Sequence, residues 1–307
     1  MATALFVLAR TLHFGSAMML FALPFFMLVI LRPASSPDAM ESHSAFCRKM
    51  TKWLGIAWVL EAVSGGVWFW FVVAQTTHQS PWRLLAPADL SPVLWQTSFG
   101  RLWLVRGAMG IALGLALYFA ARRKTLSSPR PSFLNGFITA VSGCVLITLA
   151  LAGHATAGVH HQILHLLTDT PHLLIGAIWP IGLIPMAYFL WHINKGNPLL
   201  PADREIETLQ RFSQTSLIAV LILLVTGSIN GWLTIGTWEN LVATTDGRLL
   251  LGKILVVAIM IGMGAFNRFH LMPRICDVPL MFRILRRTIV AESCLALVVL
   301  FIVGMHT

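Results

Sequence analysis

The chain has 307 residues, 57% of them hydrophobic and only 11% charged, with a formal net charge of +10. Soluble domains carry about 25% charged residues, so this composition excludes an ordinary soluble enzyme and indicates an all-α polytopic membrane protein. The basic excess is not a nucleic-acid signal, because it is distributed by loop parity rather than gathered on one face.

Eight apolar segments reach the length needed to cross a bilayer, about 20 residues. They run over 3–31, 53–74, 98–120, 133–153, 170–191, 212–235, 248–268 and 288–305. The first has no basic stretch ahead of it, exceeds a signal-peptide core in length and lacks a small-residue cleavage site, so it reads as a retained helix. The connection 75–97, with Trp82 and Trp95, reads as a surface segment anchored at headgroup level. In the third segment Gly110-x-x-x-Gly114 permits a close helix contact. Pro180 and Pro185 predict a kink in the fifth. Ahead of the sixth, Asp203-Arg204-Glu205-Ile206-Glu207 reads as a helical extension with acids in its first turn. Connections are short, so residues 1–307 form one eight-helix membrane domain, and no repeat is clear enough to claim inverted symmetry.

Sixteen of the 22 Lys and Arg fall in alternate connections: Arg32, Arg48, Lys49, Lys52, then Arg122, Arg123, Lys124, Arg130, then Lys195, Arg204, Arg211, then Arg268, Arg274, Arg283, Arg286, Arg287. The positive-inside rule puts these connections in the cytoplasm and both termini outside. Cys47 and Cys276 then lie in inner connections and Cys144 and Cys294 in helices, so no disulfide framework is expected.

Charged side chains inside a bilayer cost roughly 2.5–3.5 kcal/mol each on insertion scales, and those retained mark sites or pathways. Arg10, His13, Ser16 and Ala17 share one face of the first segment; Glu61, Ser64, Gly65 and Trp68 share a face of the second. Arg106 and Gly110 align on the third, Thr226, Asn230 and Thr234 on the sixth, and Lys253, Met260, Gly264 and Asn267 on the seventh, while Glu292 lies in the inner part of the eighth. Arg10, His13, Arg106, Asn230 and Lys253 fall in the outer half and predict a polar cavity open to that side. Glu61, Asn230, Lys253, Met260 and Asn267 are candidates for a path through the bundle, with Glu61 and Asn267 deepest.

Residues 153–172 hold five histidines, His154, His160, His161, His165 and His172, with Asp169. Imidazole beside carboxylate is ligand chemistry for a transition metal, or for haem when two imidazoles face each other. If 160–173 is helical, His165, Asp169 and His172 recur on one face; Pro171 favours instead a helix that starts near Thr170. The candidate metal ligands are His13, His154, His165, Asp169 and His172, with Asp169 either a ligand or the group that orients an imidazole. His160 and His161 read as a solvated entrance. His43, His192 and His270 flank inner helix ends and read as solvated.

Leu12-His13-Phe14, Gly153-His154-Ala155 and Asp169-x-x-His172-x6-Trp179, followed by Arg211-Phe212-Ser213, Thr226-Gly227-x-x-Asn230, Lys253 and Asn267-Arg268, form an ordered set over most of the chain. It resembles the CopD/PcoD family of bacterial copper-resistance inner-membrane proteins. The central tryptophan of that family is usually followed by Gly-Gly, where this chain has Pro180. The resemblance implies eight helices, movement of copper from periplasm toward cytoplasm, and a small periplasmic CopC-type carrier as partner. Because this chain starts at its first helix, the carrier is expected to be a separate protein.

Three function classes remain on sequence grounds. The first is a copper transporter; no Walker A loop is visible, and inward movement of a monovalent cation gains roughly 2.3 kcal/mol per 100 mV without ATP. The second is a membrane redox protein with non-covalent haem b, axial ligands among His13, His154 and His172, and Arg10 or Arg106 at the propionates. The third is a docking scaffold for a periplasmic copper protein.

Overall fold

A computed structural model describes residues 2–31, 37–83, 86–127, 132–154, 162–193, 202–275 and 279–305. The helices are α1 (Ala2–Phe25), α2 (Pro37–Thr76), α3 (Pro87–Gln96), α4 (Ser98–Arg123), α5 (Phe133–His154), α6 (Gln162–Gly176), α7 (Leu183–Ile193), α8 (Ala202–Ile235), α9 (Trp238–Ala243), α10 (Thr245–Phe266) and α11 (Pro279–Met305). Among the described residues there is no strand.

Eight stretches are long and apolar enough to cross a membrane: Thr3–Ile30, His43–Thr76, Ser98–Arg123, Phe133–Ala152, Ile163–His192, Asp203–Ile235, Thr245–Arg274 and Leu280–Met305. Each contains most of one predicted segment, and most extend beyond it by a turn or more, because a helix continues past the hydrocarbon while its own backbone bonds remain satisfied. An even number of crossings leaves both ends of the chain on one face, here called the terminal face; the basic connections lie on the other, the basic face.

The fifth span is made of α6 and α7 joined by a π turn over Ala177–Ile181. Pro180 lies in that turn and has no amide hydrogen to give, so the ladder loosens there before α7 resumes. Of the two alternatives the helical one is realised from Gln162 onward, with Pro171 inside α6. The expected start near Thr170 is therefore corrected: one missing amide hydrogen in a packed helix is cheaper than leaving a turn of backbone unpaired in lipid.

Buried residues from α1, α2, α4, α7, α8, α10 and α11 form the main apolar core, around Leu20, Leu23, Phe26, Phe46, Met50, Leu54, Phe189 and Met260. Tryptophan packing uses the expected glycine pair in an unexpected way. The Trp58 indole donates to the Gly110 carbonyl at 2.8 Å, and its ring fills the space a Cβ on Gly114 would take. Trp82, ahead of α3, and Trp95, within it, are exposed, as the surface reading expected.

His43 corrects another expectation. It is 4% exposed rather than solvated, because α2 begins at Pro37 and carries it inside the bundle. Its Nε2 lies 3.6 Å from Cys47 Sγ, one turn on. His192 is half-buried, and only His270 is exposed as read.

Candidate functional site

The first polar group is built by α1, α2, α4 and α5. His13 is 1% exposed, set between the rings of Trp68 and Trp103 at centroid distances of 5.3 and 5.7 Å. Its Nδ1 lies 3.1 Å from the Glu61 carbonyl oxygen. A carbonyl only accepts, so Nδ1 carries the hydrogen and Nε2 carries the lone pair. That Nε2 is buried, has no hydrogen-bond partner, and stands 3.9 Å from Glu61 Oε1. The same carboxylate oxygen receives Arg106 NH2 at 2.8 Å. Arg106 NH1 donates to Val145 O at 2.7 Å and to the Thr148 hydroxyl. Arg10 stacks its guanidinium over Phe6 and Trp68.

Sequence reasoning placed Glu61 deep in a path with Asn267. In the structure Glu61 shares one group with His13 and Arg106. That neighbourhood depends on how two helices slide past each other, which the face of α2 alone does not give.

The second group is built by α6, α8 and α10. His172 Nδ1 lies 2.9 Å from Thr226 Oγ1, and that hydroxyl donates to Ile222 O at 2.8 Å. A hydroxyl has one hydrogen, so Thr226 must accept from His172 Nδ1–H, which again leaves the lone pair on Nε2. Asn230 Nδ2 donates to Asp169 Oδ1 at 2.5 Å, and the Thr168 hydroxyl donates to Asn230 Oδ1. Lys253 lies within electrostatic reach of both Asp169 and His172. Asp169 was expected either to bind a metal or to orient an imidazole; on His172 Nδ1 the partner is Thr226, a residue known from its helix face but given no role.

A third group lies nearer the basic face. Asn267 Nδ2 donates to Glu292 Oε1 at 2.5 Å, and Thr288 Oγ1 donates to Asn267 Oδ1 at 2.6 Å. Asn267 and Glu292 border a cavity of about 140 Å³ that also meets Ser213, Ser216 and Arg268. Met260, expected on a path, is fully buried in the apolar core.

Among the described residues no three His, Cys, Asp or Glu side chains converge where a metal ion could sit. His13, His165, Asp169 and His172 therefore do not form one described site. His154 ends α5, and its side chain lies outside what is described, as do residues 155–161 with His160 and His161. What the described groups offer is an unpartnered Nε2 on His13 facing Glu61 and Arg106, and a His172 ring whose Nδ1 is given to Thr226, with Lys253 within electrostatic reach of both it and Asp169. The Nε2–Oε1 gap of 3.9 Å in the first group is close to what two ligands leave across one ion, with bonds of about 2.0–2.2 Å each.

Residues 1–162 match the family model described as copper resistance protein D-like, N-terminal domain, and residues 206–306 match that described as copper resistance protein D. The chain is 27% identical over 87% of its length to copper resistance protein D of Pseudomonas syringae pv. tomato, covering 82% of that protein. It is 34% identical over 60% of its length to inner membrane protein YebZ of Escherichia coli (strain K12), covering 60% of it. It is 28% identical over 59% of its length to copper transport protein CutJ of Bacillus subtilis (strain 168), covering 32% of it. No solved structure matches.

Proposed function

Since this chain belongs to the copper resistance protein D family, we propose that it carries copper across the bacterial inner membrane, from the periplasm toward the cytoplasm, as part of copper resistance and homeostasis. The observation that carries this reading is the buried, unpartnered Nε2 of His13 facing Glu61. A neutral imidazole with its lone pair directed at a carboxylate is a metal ligand in waiting.

The basic side chains make such a site exchangeable. Glu61 is neutralised by Arg106 while no ion is present, and Lys253 provides charge near Asp169. An incoming ion displaces that charge from the carboxylate, so it is held weakly enough to leave, which conduction requires. In this reading the terminal face is periplasmic. His154, His160, His161 and His165 gather copper there, His13 and His172 receive it, and Asn230, Asn267 and the Glu292 cavity lie along the way to the basic face. A small CopC-type periplasmic carrier delivers the ion, and the membrane potential favours its inward movement by roughly 2.3 kcal/mol per 100 mV for a single charge.

The test is copper uptake by proteoliposomes of the purified protein, with copper and haem content measured on the same preparation. Uptake that saturates with external copper and falls in His13→Ala supports transport. Copper bound without uptake points to a docking scaffold. A Soret band lost in His13→Ala or His172→Ala points to the haem b reading, with Arg10 and Arg106 at the propionates.

A further inference from the structure

The two histidine groups correspond to one another. His13 and His172 lie on the first and fifth spans, ten residues past Thr3 and nine past Ile163. At 1.5 Å per residue these are depths of about 15 and 14 Å from the terminal face. Each ring gives its Nδ1 side to a hydroxyl residue of the next span, Ser64 at 3.3 Å and Thr226 at 2.9 Å. In each case the residue after that hydroxyl is a glycine lying against the ring. A Cβ on Gly65 would stand 2.8 Å from His13 Cε1, and one on Gly227 would stand 3.2 Å from His172 Cε1.

The third and seventh spans repeat more strictly. Leu94-x-x-Thr97-x-x-Gly100-Arg101-Leu102-x-Leu104-x-Arg106 and Leu241-x-x-Thr244-x-x-Gly247-Arg248-Leu249-x-Leu251-x-Lys253 match position for position. The structure repeats with them. A short helix, α3 or α9, precedes each span, and each threonine caps it by accepting from the glycine nitrogen, at 2.9 Å from Gly100 and 3.0 Å from Gly247. A Cβ on Gly100 would meet Val93 O at 2.1 Å, and one on Gly247 would meet Asn240 O at 2.4 Å, so both corners are closed to any larger residue. Arg106 and Lys253 occupy the same place in this pattern, and each serves the histidine group of its own half.

Packing follows the same rule. In the first half α1 packs on α2 and α5, and α4 on α5; in the second, the α6–α7 span packs on α8 and α11, and α10 on α11. Four crossings return the chain to the face it left, so the copies are parallel, related by an axis along the membrane normal rather than inverted.

We infer that the protein is two copies of one four-span unit, and that each copy holds its own copper-binding position, His13 with Glu61 and Arg106 in one, His172 with Asp169 and Lys253 in the other. The acid has changed span between the copies. Glu61 comes from the second span of its half, whereas Asp169 sits three residues before its own histidine and is held by Asn230. The site elements common to both are a histidine, a hydroxyl on its Nδ1 side, a glycine against the ring, and a basic residue. This inference rests on the copper reading for the identity of the ligand, but the stoichiometry does not depend on transport.

Titration of detergent-purified protein with Cu(I) in a competing chelator tests it without any substitution: two equivalents are expected. His13→Ala and His172→Ala should each retain one, and the double variant none. A single equivalent in the unmodified protein, its loss by either substitution alone, or full occupancy in the double variant would overturn it. Vesicles that take up no copper while the protein binds two equivalents would sink the transport reading and leave the two-site reading standing.

Discussion

The ring of His13 rests directly on the backbone of Gly65, with 2.8 Å between its Cε1 and the place a Cβ would occupy. Trp68 and Trp103 hold the ring on other sides, so it has little room to retreat. Glycine is needed here for close approach, not for an unusual backbone angle.

Gly65→Ala should therefore behave as a milder His13→Ala. Overpacking costs about 1–3 kcal/mol, and copper content should fall with it as Nε2 is driven off Glu61. Gly66→Ala is the control, since nothing lies within 4 Å of its Cβ position. Copper per chain by mass spectrometry, with thermal unfolding in detergent, reads both; equal copper content in the two variants would contradict the role given to the His13 ring.

Glu61 and Arg106 form a buried pair at 2.8 Å. Removing one partner from such a pair costs roughly 3–5 kcal/mol, because the other charge is left without compensation. Glu61→Gln and Arg106→Met should each lower the unfolding temperature strongly, and the double variant by much less than their sum. Additive losses would mean that the two side chains act independently.

Thr226 fixes which nitrogen of His172 carries the hydrogen. Thr226→Val keeps the shape and removes the acceptor. Groups that orient a ligating imidazole typically contribute 10–100-fold to metal affinity, so copper binding at the second position should weaken by about that factor while the first is unchanged. A two-site binding isotherm separates them; an unaltered isotherm would show that Thr226 does not set the tautomer.

Topology has its own test. Reporter fusions after Arg123 and Arg286 should report cytoplasm and a fusion after Gly158 periplasm, given the sixteen basic residues in alternate connections. A cytoplasmic signal at Gly158 would reverse the direction proposed for copper.

The eight spans and the extension over 203–207 were legible in the sequence, because a helical span must satisfy its own backbone in lipid and run length reveals it. The ordered motifs also carried the family, and the residues on each polar face were correctly grouped: Arg10, His13 and Ser16 on one, Glu61, Ser64 and Gly65 on another. What periodicity within one helix cannot give is the register of one helix against the next. That register put Glu61 beside His13, gave His172 to Thr226 and Asp169 to Asn230, and buried Met260 in the apolar core. The repeat was hidden for a related reason. Lipid-facing positions accept many apolar residues and drift freely, so the repeat survives in the short runs 94–106 and 241–253 and in the two rings against glycine, where backbone contact restricts the choice.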